Sequence, residues 1–197
     1  MIIVGDVHGK INSFLKLLKK IPKKEIIQLG DLGFKEEHDW ALKNHKKYNF
    51  KVLFGNHDYY PMLNEEHSLG NWGFNTLNDG RVVFWVRGAN SIDLHHRTEG
   101  VDWFSNEELT YMEFHDIINH YEKIKPDVVI THDCPDIIVE ELFKFNSFKS
   151  ITSQGLGAMF SLHQPEQWIF GHHHKDVTKI INNCQFTCLN ELNYIEL

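Results

Sequence analysis

The sequence has no run of about 18 apolar residues, the length a helix needs to cross a bilayer. Only four apolar residues precede Gly5 and Asp6, too few for the apolar region of a signal peptide. Both absences lead to the expectation of a cytoplasmic protein with no membrane partner. Cysteine is sparse, with three residues in 197, which suits a reducing compartment. Cys184 and Cys188 can share one strand face and read as two small buried side chains, since zinc would need further ligands beside them. Positive charge is in deficit as well. The net charge is −7, and a long duplex nucleic acid is held through a basic surface. That argues against duplex nucleic acid as the main partner and leaves a local basic pocket open. Only three of the twenty basic residues are arginine, so each one merits inspection. Repeats, low-complexity tracts and linkers are also missing, and the length suits one domain, residues 1–197, around one buried core.

Histidine is what the chain has in excess, with 14 residues, and their placement is informative. Met1–Val4 reads as a short buried strand that runs into Gly5-Asp6-Val7-His8-Gly9. Ile11, Phe14, Leu15, Leu17, Leu18 and Ile21 recur at helical spacing until Pro22 stops the helix. Glu25–Leu29 is a second strand, closed by Gly30-Asp31. Strand, helix and strand within about 30 residues make a parallel βαβ unit, which brings Asp31 beside Asp6 and His8. A charged surface helix over Lys35–Tyr48 and a strand over Lys51–Phe54 follow, the strand ending in Gly55-Asn56-His57-Asp58. Tyr59–Gly80 reads as an extended loop and Arg81–Val86 as a strand. Residues 87–100 form a long polar stretch, a candidate substrate loop. Ser105 or Asn106 is expected to cap a helix running to about Lys125, with Glu107 and Glu108 in its first turn. The strand Asp127–Thr131 ends in His132-Asp133, and helices are expected over 136–145 and 147–162. Gln167–Phe170 is a strand ending in Gly171-His172-His173-His174. Strands over Val177–Ile181, Gln185–Leu189 and Tyr194–Glu196 close the chain, the first two joined by a hairpin turn at Asn182-Asn183.

Five strand ends therefore carry Asp6 and His8, Asp31, Asn56 and His57, His132, and His172 and His174. Any one alone is an ordinary surface turn. A series of five, mostly beside glycine, is hard to obtain by chance. Strand ends are where α/β sheets keep their chemistry. Carboxylate oxygen suits hard cations and imidazole borderline ones. The order Gly-Asp-x-His-Gly, Gly-Asp, Gly-Asn-His-Asp, Thr-His, Gly-His-x-His resembles the calcineurin-like metallophosphoesterase superfamily, from Gly5 to His174. The resemblance implies an α/β fold, a four-layer αββα sandwich of two mixed β-sheets flanked by helices. It also implies a two-metal site in which Asp6, His8 and His174 hold one ion, Asn56, His132 and His172 the other, and Asp31 bridges both. The expected cofactors are two divalent metal ions, Mn²⁺ foremost, with Fe, Zn, Ni or Mg compatible. Such a pair clamps a phosphate and activates a water for in-line attack. His57 matches the family's non-ligand histidine, which protonates the leaving oxygen or binds the phosphate, and Asp58 is expected to orient it. His173 is expected to point away from the metals, and Asp133 to support them from behind.

The departures from that pattern are informative too. Protein Ser/Thr phosphatases of the superfamily continue the second motif as Gly-Asp-x-Val-Asp-Arg-Gly and end the third in Glu. Here the chain reads Gly30-Asp31-Leu32-Gly33-Phe34, and the third motif ends in Asp58. The phosphate-gripping arginine is missing, so another cation must serve, and Arg97, Arg87, His95 and His96 are the candidates. The plainer reading of Arg97 is a solvated loop residue or a salt bridge to Asp93 or Glu99. The expected activity is hydrolysis of phosphate esters, as a phosphodiesterase or phosphatase on small nucleotide-type substrates. A nuclease on single-stranded or terminal nucleic acid is the alternative, with Trp72, Phe74, Trp85 and Trp103 stacking on bases. A non-catalytic scaffold, as in a retromer subunit of this fold that has lost ligands, is disfavoured because no ligand is missing here.

Overall fold

A computed structural model describes residues 1–144 and 149–197. The first half of the chain runs β1 (Ile2–Val4), α1 (Ile11–Lys20), β2 (Ile26–Gln28), α2 (Lys35–Tyr48), β3 (Phe50–Val52), β4 (Trp72–Thr76) and β5 (Val82–Val86). The second runs α3 (Tyr111–Ile124), β6 (Val128–Thr131), α4 (Asp136–Phe143), α5 (Ile151–Leu162), β7 (Gln167–Phe170), β8 (Val177–Ile181), β9 (Cys184–Cys188) and β10 (Tyr194–Glu196). Two sheets form, ordered β10-β1-β2-β3 and β4-β5-β6-β7-β9-β8. Both are mixed. Parallel β1, β2 and β3 carry antiparallel β10 at one edge. Parallel β5, β6, β7 and β9 lie between the antiparallel edge strands β4 and β8. Among the described residues no helix is long and apolar enough to cross a membrane.

The central strands β1, β2, β6 and β7 are largely buried on both faces, and their period-2 alternation sorts the side chains into layers. Ile3, Ile27, Val83, Val128, Ile130 and Ile169 meet between the two sheets. Their neighbours Ile2, Val4 and Ile26 face outward to Phe14 and Leu18 of α1 and Ala41 of α2. On the other side Phe84, Val129, Trp168 and Phe170 face Phe114, Ile117, Ile138 and Leu156 of α3, α4 and α5. The result is helix, sheet, sheet, helix, the αββα sandwich that the motifs imply.

Several boundaries differ from expectation. The helix expected from Ser105 or Asn106 begins at Tyr111, because Thr110 and Glu113 form a reciprocal capping box there. Residues 59–80 are not a plain loop: Tyr60–Met62 form a 3-10 turn and β4 forms an edge strand, its Trp72 stacked on Phe84. The third strand is Phe50–Val52, and the ninth begins at Cys184. Of the two helices expected over 136–145 and 147–162, the described parts are Asp136–Phe143 and Ile151–Leu162, while 145–148 lie outside the described residues.

Trp168 anchors the larger sheet. It is fully buried, stacks on Phe186, meets Phe160 edge-on and donates its indole N–H to Thr131 Oγ1 at 2.9 Å. Trp168→Ala is expected to destabilise the fold by about 3–5 kcal/mol, measured by urea denaturation followed by circular dichroism. A loss below about 1 kcal/mol would contradict this packing.

Candidate metal centre

Residues that follow β2, β3, β6 and β7 line one cavity of about 560 Å³, and Asp6 and His8, which follow β1, reach its floor through Asp31 and His174. Donor atoms of Asp6, His8, Asp31 and His174 lie within 4.8 Å of one another, and so do those of Asp31, His132 and His172. Asp31 belongs to both groups. Its Oδ1 lies 3.2 Å from His132 Nε2, and His174 Nε2 lies 3.2 Å from Asp6 Oδ2. His8 Nε2 stands 3.7 Å from Asp6, 3.6 Å from Asp31 and 2.7 Å from His174 Nε2. Asn56 lines the same cavity.

The local backbone is bent to produce this. His8, Asp31, His172 and His174 all have left-handed φ, between 46° and 62°. Each such non-glycine residue costs on the order of 1–3 kcal/mol and persists only where its surroundings enforce it. Here the turns lock one another. The Val7 and His8 amides donate to Asp31 O at 3.1 and 2.7 Å, and the His172 amide donates to the Asp6 carboxylate at 3.1 Å. Two glycines allow the close approach. A Cβ on Gly55 would fall 2.4 Å from Asp31 Oδ1 and 2.5 Å from His132 Nε2, and one on Gly171 would fall 2.2 Å from Asp6 Oδ1.

The donor set fits a pair of divalent cations. His132 donates Nδ1–H to Leu29 O at 2.6 Å, which fixes the tautomer and leaves Nε2 as a buried acceptor with no hydrogen bond. Asn56 donates Nδ2–H to Ser91 Oγ at 3.1 Å, leaving Oδ1 buried and unpartnered. Orphaned buried acceptors are costly. These two sit in a site that also holds two buried carboxylates, themselves acceptors. A cation satisfies all of them, and mixed oxygen and imidazole donors suit transition metals. Electrostatics point the same way. Burial opposes ionisation of Asp31, yet His132 beside it holds the carboxyl well below its ordinary range. Burial likewise opposes a charge on His132, but Asp31 and then Asp6 push it up to about 10, so the carboxylates favour positive charge at its Nε2, whether a proton or a metal ion brings it. Burial pulls His172 down to about 4, keeping it a neutral donor.

The surrounding side chains divide into supports and cavity lining. Asp58 corrects an expectation: it does not orient His57. Its carboxylate accepts from the amides of Asp31, Leu32 and Gly55 at 2.8, 2.8 and 2.6 Å and lies 2.8 Å from His38 Nε2. It therefore fastens the second and third motif turns together. Behind it, His38 Nδ1 meets His67 Nε2 at 2.9 Å. Arg97 is what contacts His57: Nη2 lies 2.7 Å from His57 Nε2. Asp93 grips the same guanidinium at 2.8 and 3.0 Å, and Asp102 O accepts from it at 3.1 Å. Its side chain is 7% exposed, which excludes the solvated reading, and the salt bridge goes to Asp93. Arg87 leaves the list of substrate cations. It is buried against Tyr60, Asn71 and the carbonyls of Asn106 and Glu107. His95 and His96 are exposed and absent from the cavity wall. His173 turns to Asp133 and Cys134, at 3.4 and 3.7 Å. Trp72, Phe74, Trp85 and Trp103 do not line the cavity, which removes the stacking argument for a nuclease.

Glu107 was expected in a helix turn and instead has a positioning part. Its buried carboxylate accepts from Ser91 N at 2.6 Å and Ser91 Oγ at 2.7 Å, and Ser91 Oγ accepts from Asn56. The chain Glu107–Ser91–Asn56 thus turns the Asn56 amide so that its oxygen stays free. Sequence carried no signal for a contact 16 residues long in one step and 35 in the next.

The family model for calcineurin-like phosphoesterases matches residues 1–176, and the chain belongs to that family. The family is dinuclear and metal-dependent, and hydrolyses phosphoric esters. No curated protein matches the chain. Among solved structures, the phosphopantetheinyl hydrolase of Mycobacterium tuberculosis is similar in fold, with a TM-score of 0.60 and 13% identity over 96% of this chain and 89% of that one. A Staphylococcus aureus protein described as a 5′-nucleotidase aligns with a TM-score of 0.58 and 13% identity over 96% of this chain. The present chain spans about half of that protein, 48%.

Two outcomes follow from this geometry. Gly55→Ala is expected to weaken Mn²⁺ binding at least about tenfold in calorimetric titration, because the methyl enters the space between Asp31 and His132. Unchanged affinity would refute that crowding. The second outcome concerns acid stability. Burial, then His38, His45 and Lys51 nearby, hold His67 down at about 3. The unfolded chain takes up that proton near pH 6.5, so between the two values the unfolded state binds more protons. Stability therefore falls as pH drops through this window and is unaffected above it. His67→Gln is expected to lose less of its urea midpoint between pH 7 and 5 than the parent, and an equal loss would contradict the assignment.

Proposed function

We propose that this chain hydrolyses small phosphate esters with two divalent ions, one held by Asp6, His8 and His174, the other by Asn56, His132 and His172, with Asp31 shared. The observation that carries this reading is the pair of buried atoms without a hydrogen bond, Asn56 Oδ1 on the cavity wall and His132 Nε2 3.2 Å from the Asp31 carboxylate that lines the same cavity. Two such ions, when bound, clamp a phosphate and lower the pKa of a water for in-line attack. Mn²⁺ is the metal favoured by the mixed donors, with Fe, Zn, Ni or Mg as alternatives.

The chain's own residues supply the rest. Arg97 is the phosphate-binding cation, its fork held ready by Asp93 and aimed at the His57 edge of the cavity. Arg97 takes a non-bridging oxygen of the phosphate. His57 faces the leaving oxygen, and the Arg97 N–H that it accepts in the free protein is given up to the substrate. Nucleotide-type monoesters or diesters are the substrate class, of a size that a cavity of about 560 Å³ accommodates.

Purified protein with Mn²⁺ is expected to cleave p-nitrophenyl phosphate or its bis ester. Asp31→Asn should abolish turnover, His57→Ala should lower kcat about 10²–10⁴-fold, and Arg97→Ala should lower kcat/KM about 10–100-fold, mostly through KM. No cleavage of either ester with any of the five metals, or full activity in Asp31→Asn, would overturn the reading.

A further inference from the structure

The cavity extends past the metal donors to a wall that the chemistry leaves unused. That wall is made by Ile92 of the loop after β5, Val139 of α4, and Ser150 and Ser153 at the start of α5, with Asn90 beside them. Ile92 is 81% exposed. What sets it apart from other exposed apolar side chains is its place: with Val139 it lines the same cavity as Asp31, Asn56 and His57, so apolar surface lies within reach of a group bound at the metal donors. The wall is also short of cations. Arg97 is the one Lys or Arg among the described lining residues, and it is already engaged by Asp93 and aimed at His57. The remaining charges are carboxylates, Asp93 and Asp133. Ser150 and Ser153 bond to each other, and the α5 amide of Thr152 is taken by Glu108. The helix start is therefore already occupied by a carboxylate and offers no welcome to a second anion.

Resting on the phosphoesterase reading, we propose that the substrate carries a single phosphoryl group and a neutral, partly apolar organic group that packs on Ile92 and Val139. Asn90, whose amide gives one N–H to Glu108, offers that group an uncharged hydrogen-bonding partner. A second phosphate or other anion at that end would face Asp133 and Asp93 with no free cation among the described lining residues, and would be rejected. Diphosphate and polyphosphate esters are thus excluded as good substrates, and Ile92 is a specificity-determining residue.

The test uses three non-hydrolysable phosphonates, titrated calorimetrically into the Mn²⁺-loaded protein: methylphosphonate, naphthylmethylphosphonate, and the latter with a sulfonate on its far ring. All share the metal-binding head. The naphthyl compound is expected to bind at least about tenfold tighter than the methyl one, and the sulfonate to remove most of that gain. Ile92→Ser, at a solvent-exposed position, is expected to lose about threefold or more of the naphthyl affinity and none of the methylphosphonate affinity. Equal binding of methyl and naphthyl compounds, or no penalty for the sulfonate, would overturn the inference while leaving the phosphoesterase reading standing. Binding of none of the three, with no ester cleaved, would overturn both.

Discussion

Two carboxylates, Asp6 and Asp31, lie almost wholly buried beside one another at the cleft where the motif turns meet, 0% and 1% exposed. Burial of like charges is among the most expensive arrangements a fold can hold, unless positive charge and hydrogen bonds answer it. Much of the local architecture answers it. Amides of His57 and His172 donate to them at 2.8 and 3.1 Å, and imidazoles of His8, His132 and His174 close around them. The contrast with Asp58 is instructive. That carboxylate is equally buried, but its two oxygens are filled by three amides and His38. Asp58 needs nothing further, so it reads as scaffold. Asp6 and Asp31 face neighbours that are acceptors too, so they read as ligands of a cation. Lone-pair accounting separates two kinds of buried aspartate that composition cannot.

The fold exists to hold those charges together across great separations in the chain. His8 and His174 touch although 166 residues apart, and Leu29 fixes the tautomer of His132 across 103. Each sheet contributes part of the donor set: Asp6, Asp31 and Asn56 follow strands of one, His132, His172 and His174 strands of the other. The apolar layer between the sheets, with Ile3, Ile27, Ile130 and Ile169, is what sets their spacing. A metal site of this kind is preorganised by hydrophobic packing a layer away from the metals.

This separation explains what could be read from the sequence. The donors that come together in the structure could be picked out because each follows a short apolar strand directly, so strand and donor occupy one local window. The layered fold was implied by the family resemblance that the strand-end motifs carry. Partners outside such a window were not legible. Asp58 sits beside His57 in the chain, which suggested a shared role, but its partners lie 20 to 27 residues upstream apart from Gly55. Arg87 looked like a loop cation and proved to be a buried brace, because Tyr60 and the 106–107 carbonyls come to it from elsewhere. The start of α3 was a different failure. Thr110 and Glu113 spell a capping box, but the nearby Ser105, Asn106, Glu107 and Glu108 imitate one. β4 was hidden because an edge strand with one neighbour and a mostly exposed face carries little alternation.

The two halves of the site are built differently, and that bears on how substrate choice arises. The donors sit on strand ends whose strained turns are locked by backbone hydrogen bonds, so the metal half has little freedom. Arg97, Asp93 and Ile92 sit on the loop after β5, tied mainly to one another and to Asp102. In the protein Ser/Thr phosphatases, from which the second motif departs, the gripping arginine belongs to that motif itself. Here the motif continues into Gly33-Phe34, and the proposed cation arrives from a separate loop. Such an arginine can be repositioned without disturbing a single metal donor. Its loop also brings Ile92, the side chain proposed to meet the substrate's organic part. Under that proposal phosphate grip and organic-group selection ride on the same short segment, and a change there would alter substrate range without touching the donors on the strand ends.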